Sequence, residues 1–364
     1  MPVPSTSARL VQRLAAALDQ SILPIMSLMF LSAEDTESAE SVRRQERAGE
    51  LYSGADPEAF FPAPPMPSRP SVSTIAALPG GAIERHQWLS RYRTYDPEYQ
   101  AEYDAFSENG LVHVEAWRHD TRGAPALICV HSWAGGSFWL QRELFFADRL
   151  YRMGFDVILP ILPFHGPRTP RCAQFGGQYF PSACPQRTNE AFGQAVWDLR
   201  ALIARLRSSG SGPIGVMGMS LGGYLSAILA SVEPGLALGV PIIPLVTLAD
   251  LVWQHGKGHP SRRRAEARGI TLERLRAIYA IHCPLRYDPL IPAEGRLIVA
   301  GASDRIITPD HVTRLWEHWG RPELHWFPGS HLAHLGRSRL FQAVSSFAAR
   351  ATGLGAGSPL ASVS

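Results

Sequence analysis

The 364-residue chain has little net charge. Its 35 Lys and Arg against 32 Asp and Glu leave +3, too small an excess to point to nucleic acid as a partner. It has four cysteines, Cys129, Cys172, Cys184 and Cys283, too few for a disulfide framework at this length. No apolar run approaches the roughly 20 residues needed to span a bilayer, and no internal repeat is visible. Two arginines precede a short apolar run at 21–31, but the neighbouring Asp19 and the lack of a small-x-small cleavage site argue against a secretory leader. Cys129, inside the run 126–130, reads as a small buried hydrophobe. Cys172 and Cys184 share one long loop, where two free thiols in a reducing cytosol are the default. Their pairing, or metal binding with His165, is the alternative. The expected location is cytoplasmic.

What is present is an ordinary globular composition, 45% hydrophobic and 18% charged. The length suits one large α/β domain with appendages, or two ordinary domains. Residues 1–75 differ from the rest. Leu10, Leu14, Leu18, Ile22, Ile25 and Met29 recur at helical spacing, with Asp19 off that stripe and an interruption near Pro24. This predicts a helix packed on the main domain, with membrane-surface attachment or a dimer contact as alternatives. The charged stretch 34–50 and proline-rich 57–70 read as a linker or extended arm. Residues 76–350 form the expected main domain and 351–364 a flexible tail.

Short apolar strands are predicted at 111–117, 126–130, 155–159, 213–217, 239–243, 296–300 and 323–327. Helices are predicted between them at 138–153, 190–206 (capped by Asn189), 224–232, after Thr271, after Thr308-Pro309 and at 340–349. Such alternation means a mostly parallel sheet covered on both faces. The alternation lapses at 244–292, read as a cap insertion. A long loop occupies 160–187.

Between strand and helix stands Gly218-Met219-Ser220-Leu221-Gly222-Gly223. With 32 glycines in the chain, Gly-x-Ser-x-Gly alone is weak, but a strand before it and a helix after it are the context a nucleophile elbow requires. A serine hydroxyl needs a base, and imidazole works best near neutral pH. That imidazole needs a carboxylate to fix its tautomer. Asp304, leaving the 296–300 strand in Gly301-Ala302-Ser303-Asp304, is the expected carboxylate. Asp310 sits in a helix's first turn, and Asp250 and Asp288 lie in the insertion. His331, in Gly329-Ser330-His331, is preferred as base over His334 and over His325, which lies inside a strand. An oxyanion hole needs two backbone N–H groups. Leu221, after the serine, would give one and Trp133, in His131-Ser132-Trp133-Ala134-Gly135-Gly136, the other. His165 and Arg168, on the 160–187 loop, are expected at the site's mouth to orient a substrate carboxylate or phosphate, or else to flank a simple turn. The basic run Arg262-Arg263-Arg264 reads as a solvated helix face.

These four motifs make residues 110–350 resemble the α/β-hydrolase superfamily. The first departs from the usual His-Gly start at Ser132, which bears on the second oxyanion donor. Pro163-Phe164-His165-Gly166-Pro167-Arg168 and Gly212-Pro213-Ile214-Gly215-Val216 further resemble an esterase-like branch of abhydrolase-domain proteins. The resemblance implies an α/β-hydrolase fold and a serine hydrolase acting through an acyl-enzyme on a small-molecule ester, with no cofactor and no metal. Two alternatives stand beside it: an acyltransferase using the same triad, and a non-catalytic binding protein on this fold. Substrate identity and oligomeric state are not written in the sequence.

Overall fold

A computed structural model describes residues 6–31, 39–66 and 69–355. These form one nine-stranded sheet: β1 (Ser71–Leu78), β2 (Gly81–Leu89), β3 (Leu111–His119), β4 (Ala126–Val130), β5 (Asp156–Pro160), β6 (Ile214–Met219), β7 (Leu238–Ile242), β8 (Leu297–Gly301) and β9 (Glu323–Phe327). The spatial order is β1-β2-β3-β5-β4-β6-β7-β8-β9. From β5 to β9 every pairing is parallel, whereas β1, β2 and β3 add an antiparallel flank. The parallel strands β4 to β8 are fully buried, as expected where helices cover both faces. Side chains of β4 alternate between two cores. Ala126, Ile128 and Val130 enter one, and Leu127 and Cys129 the other.

The seven expected strands lie within two residues of their observed limits. The sequence reading missed β1 and β2, and β1 crosses the expected domain boundary at 75 and 76. Nor do residues 39–66 behave as a linker. Helix Ala39–Ser53 buries Ala48 and Tyr52, and Phe60 and Phe61 join the main core. Arg47 forms a fork on the buried carboxylate of Asp96, at 2.7 and 2.6 Å, and the Tyr52 hydroxyl donates to buried Glu190. Charged residues here carry docking contacts, which composition alone reads as solvation. Part of the expected arm, 34–38 and 67–68, lies outside the described residues, as does 356–364 of the tail. Residues 351 and 352 complete the helix Arg337–Thr352.

The N-terminal helix Thr6–Leu31 forms, but on a different face from the one its leucines suggested. Leu14 and Leu18 are 64% and 43% exposed, while Ala15, Ala16 and Asp19 are buried. The expected helix at 138–153 is broken into Phe138–Leu144 and Ala147–Arg152, with Phe146 left-handed between them at φ 53°. The long helix starts at Pro185, not beyond Asn189. Proline suits a first turn, and Cys184 Sγ accepts from the Arg187 N–H. Asn189 is instead buried and donates to the Ile278 carbonyl. Residues 244–292 contain helices Leu248–His255, Pro260–Ala267 and Leu272–Ile278, lying in sequence between β7 and β8. Helix Ala39–Ser53 packs against the third of these.

Candidate active site

Four loops leave the carboxyl ends of parallel strands and converge. Ser220 follows β6, Asp304 follows β8, His331 follows β9 and Trp133 follows β4. Ser220 lies in a conformation rare for a side-chain-bearing residue, φ 56° and ψ −111°, between β6 and the helix Leu221–Val232. Glycines are required around it. A Cβ on Gly222 would stand 2.0 Å from the Val130 carbonyl oxygen, and one on Gly218 would stand 2.2 Å from the Gly222 oxygen. Both meet backbone, which cannot swing aside.

The side chains form one hydrogen-bonded line. Ser220 Oγ lies 3.0 Å from His331 Nε2, and His331 Nδ1 lies 2.8 Å from Asp304 Oδ2. Asp304 Oδ1 accepts from the backbone N–H groups of Ile306 and Ile307, at 2.9 and 2.7 Å, so its second oxygen is held toward the imidazole. With Nδ1 donating to the carboxylate, Nε2 is the lone-pair nitrogen facing the serine hydroxyl. Ser220, Asp304 and His331 are 7%, 2% and 8% exposed. Bulk water therefore screens the line little.

The competing residues are occupied elsewhere. Asp250 binds Thr247, Arg276 and Arg314, and although burial acts to raise its pKa, those bonds bring it down to about 2. Asp310 and Asp288 are exposed. His334 Nε2 meets the carbonyl of His331 at 2.9 Å, and His325 lies half-buried in β9.

Ser220 and Leu221 open on a cavity of about 110 Å³ with a mostly hydrocarbon wall. Leu245, Leu248, Leu251 and Val252 come from the 244–292 segment, and Ile306 and Ile307 from the loop bearing Asp304. Trp133 and Pro181 complete the side nearest the 160–187 loop, and the Trp133 indole N–H donates to the Gly177 carbonyl at 2.8 Å. His255 is the histidine that lines this cavity. Burial lowers its pKa, and its Nε2 lies 2.7 Å from the Ile306 carbonyl. The sequence reading missed it, because nothing in 248–255 marks one helix face as cavity wall.

Two expected mouth residues are not at the mouth. Arg168 and His165 are fully buried. The Arg168 guanidinium is spent on the Asp198 carboxylate at 2.9 Å and on the carbonyls of Asn109 and Ile161. A buried guanidinium needs such partners, and none of this pairing is offered to a ligand. His165 Nδ1 donates to the Pro163 carbonyl, and burial holds its pKa well below the usual range. His131 is likewise structural. Its Nε2 accepts from the Leu162 N–H at 3.0 Å and its Nδ1 donates to the Ser132 carbonyl, fixing the loop that carries Trp133.

Arg263 and Arg264 are exposed as expected, while Arg262 lies over the Trp253 ring at 4.0 Å. All four cysteines are free. Among the described residues, no cluster of three or more His, Cys, Asp or Glu could hold a metal ion, and no helix is long and apolar enough to cross a membrane.

Sequence and structure comparisons bear on the fold. A family model described as alpha/beta hydrolase fold matches residues 125–240. The uncharacterized protein Rv2627c of Mycobacterium tuberculosis (strain ATCC 25618 / H37Rv) is 39% identical over 211 residues, covering 57% of this chain and 49% of that protein. The chain thus spans about half the length of the curated relatives it matches. An acetyl xylan esterase from Paenibacillus sp. R4 superposes with a TM-score of 0.57 at 15% identity, covering 86% of this chain and 96% of that one. Acetyl xylan esterase 1 from Thermoanaerobacterium sp. JW/SL YS485 gives 0.54 at 17% identity, covering 84% and 93%.

Proposed function

We propose that this chain, which has the α/β-hydrolase fold, is a serine hydrolase that cleaves carboxylic esters of small aliphatic acids through an acyl-enzyme. One observation carries the reading: the unbroken line from Asp304 through His331 to Ser220, which lines an apolar cavity. Ser220 Oγ attacks the ester carbonyl while His331 Nε2 takes its proton. Negative charge develops on the carbonyl oxygen. The N–H of Leu221, with no intrahelical acceptor at the first position of its helix, and that of Trp133 receive it. His331 then passes the proton to the departing alcohol, and Asp304 stabilises the imidazolium between the two steps. Water repeats the sequence to release the acid and free Ser220.

The cavity's chemistry narrows the substrate. Its hydrocarbon wall favours an aliphatic acyl group. At about 110 Å³ it compares with the roughly 150 Å³ cavity that admits benzene, which suits short to medium chains. The segment 244–292 acts as the cap that supplies this wall. The two acetyl xylan esterases share the fold, and their names are compatible with a small acyl group.

A fluorophosphonate probe and p-nitrophenyl butyrate test the reading. Wild type is expected to be labelled and to hydrolyse the ester. Ser220→Ala is expected to show no labelling and a rate lowered by about 10³-fold or more. Labelling that survives in Ser220→Ala would place the nucleophile elsewhere.

A further inference from the structure

We propose that the N-terminal helix is a working part of the active site, with Asp19 as a positioning residue that ties the acid-bearing and base-bearing loops together. The inference rests on the triad reading above. Asp19 is fully buried, and its carboxylate accepts four hydrogen bonds from the two loops. Oδ2 takes the N–H of Arg305, the residue after Asp304, and the N–H of His331 itself, both at 3.0 Å. Oδ1 takes the Ser330 hydroxyl at 2.8 Å and the Leu332 N–H at 3.1 Å. One carboxylate therefore fixes the backbone on which both partners of the Ser220 line are mounted, across sequence separations of 286 to 313 residues.

Charge-assisted bonds to backbone N–H groups are short and directional, so the clamp sets position as well as stability. Elsewhere the two loops meet through the Ala302 N–H on the Phe327 carbonyl at their base, the Ser303 N–H on the Gly329 carbonyl, and the His331–Asp304 bond itself. Without Asp19, four donors lose their acceptor, two of them in buried bonds, and the His331 backbone is free to shift. A shift of about 1 Å in a reacting group can cost about 10²-fold in rate. The helix faces the same site one turn later, where Leu23 joins the cavity wall.

The test uses the full chain, p-nitrophenyl butyrate kinetics, fluorophosphonate labelling rates and thermal melting. Asp19→Ala is expected to lower kcat about 10- to 100-fold with KM changed less than about threefold, and to slow labelling in parallel. Asp19→Asn, which turns an amide toward at least one backbone donor in either orientation, should fall between wild type and Asp19→Ala. Ser330→Ala removes one of the four bonds and should lower kcat by a few-fold. It carries the test alongside Asp19→Asn if Asp19→Ala does not fold. Leu14→Ala, on the helix's exposed side, should match wild type. A kcat within twofold of wild type in all foldable Asp19 and Ser330 variants overturns the proposal. So does a loss confined to KM or to melting temperature. Failure of wild type itself to label would instead sink the triad reading, which keeps the two outcomes distinct.

Discussion

At the scale of single residues, the two neighbouring histidines make the sharpest contrast. His331 points one nitrogen at Ser220 and the other at Asp304, whereas His334 lies three residues on and turns its Nε2 to the His331 carbonyl. Burial lowers the pKa of His334 and sets it edge-on to Phe327, so its contribution is to brace the loop. His331→Ala should therefore lose fluorophosphonate labelling to the same degree as Ser220→Ala, while His334→Ala should label within about tenfold of the wild-type rate. Equal losses in both variants would mean that the base had been misassigned. Ser220, Asp304 and His331 were legible because each stands in a short stretch whose neighbours constrain it: glycines at the elbow, a turn after a strand, Gly-Ser before the base. Asp19 was not, since all its partners lie some 300 residues away and an acid off a leucine stripe reads as solvated. His165 and Arg168 were misplaced for the complementary reason. A loop's composition does not reveal that its arginine faces a buried aspartate.

Elements show how the cavity is assembled from parts that do not belong together in sequence. The N-terminal helix docks through Ala15, Ala16, Leu23 and one carboxylate, leaving Leu14 and Leu18 in solvent, because satisfying four loop donors outweighs covering two leucines. Helix Leu248–His255 supplies Leu248, Leu251 and Val252 to the wall, the loop between β8 and the next helix adds Ile306 and Ile307, and Leu23, Trp133 and Pro181 come from three further parts of the chain. The lapse in strand–helix alternation at 244–292, where the structure has three helices in succession, was legible. Which helix face lines the cavity was not, since 248–255 is apolar on more than one side. Enlarging a half-buried wall residue tests the proposed acyl pocket directly. Leu251→Phe should lower kcat/KM for p-nitrophenyl octanoate relative to the acetate ester by about tenfold or more, on the scale of a methylene or two in an apolar pocket. An unchanged ratio would move the acyl group out of this cavity.

For the whole molecule, the sheet was legible where it is most buried. Runs such as 126–130 and 297–301 carry few polar atoms and end in turns, so their strand character is overdetermined. The flank formed by β1 and β2 escaped because β1 is almost wholly exposed and its sequence, Ser-Val-Ser-Thr-Ile-Ala-Ala-Leu, has no buried face to impose a period. The same depth of burial sets the response to acid. His131, His282 and His311 are buried, and burial lowers their pKa values to about 4, about 3 and about 4. His131 and His311 each use a ring nitrogen to accept from a backbone N–H, that of Leu162 and of Val246, so protonation would set two donors against each other. His282, stacked on Phe192 at 4.0 Å, has Nδ1 at 2.8 Å from the Tyr224 hydroxyl. An unfolded histidine titrates near 6.5, so below that pH the unfolded chain binds protons that the folded chain refuses. Their neutral forms stabilise the fold fully above about pH 6.5, and that contribution falls as pH drops toward the folded values. Glu190 and Asp198, whose pKa values burial raises, act in the opposite sense, so the total slope is a difference. A single substitution isolates one member. In urea denaturation between pH 4 and 6, His282→Gln should show a stability that depends less steeply on pH than wild type, by about 1.4 kcal/mol per pH unit, one proton's worth. Parallel lines for the two proteins would mean that His282 takes up a proton in the folded state.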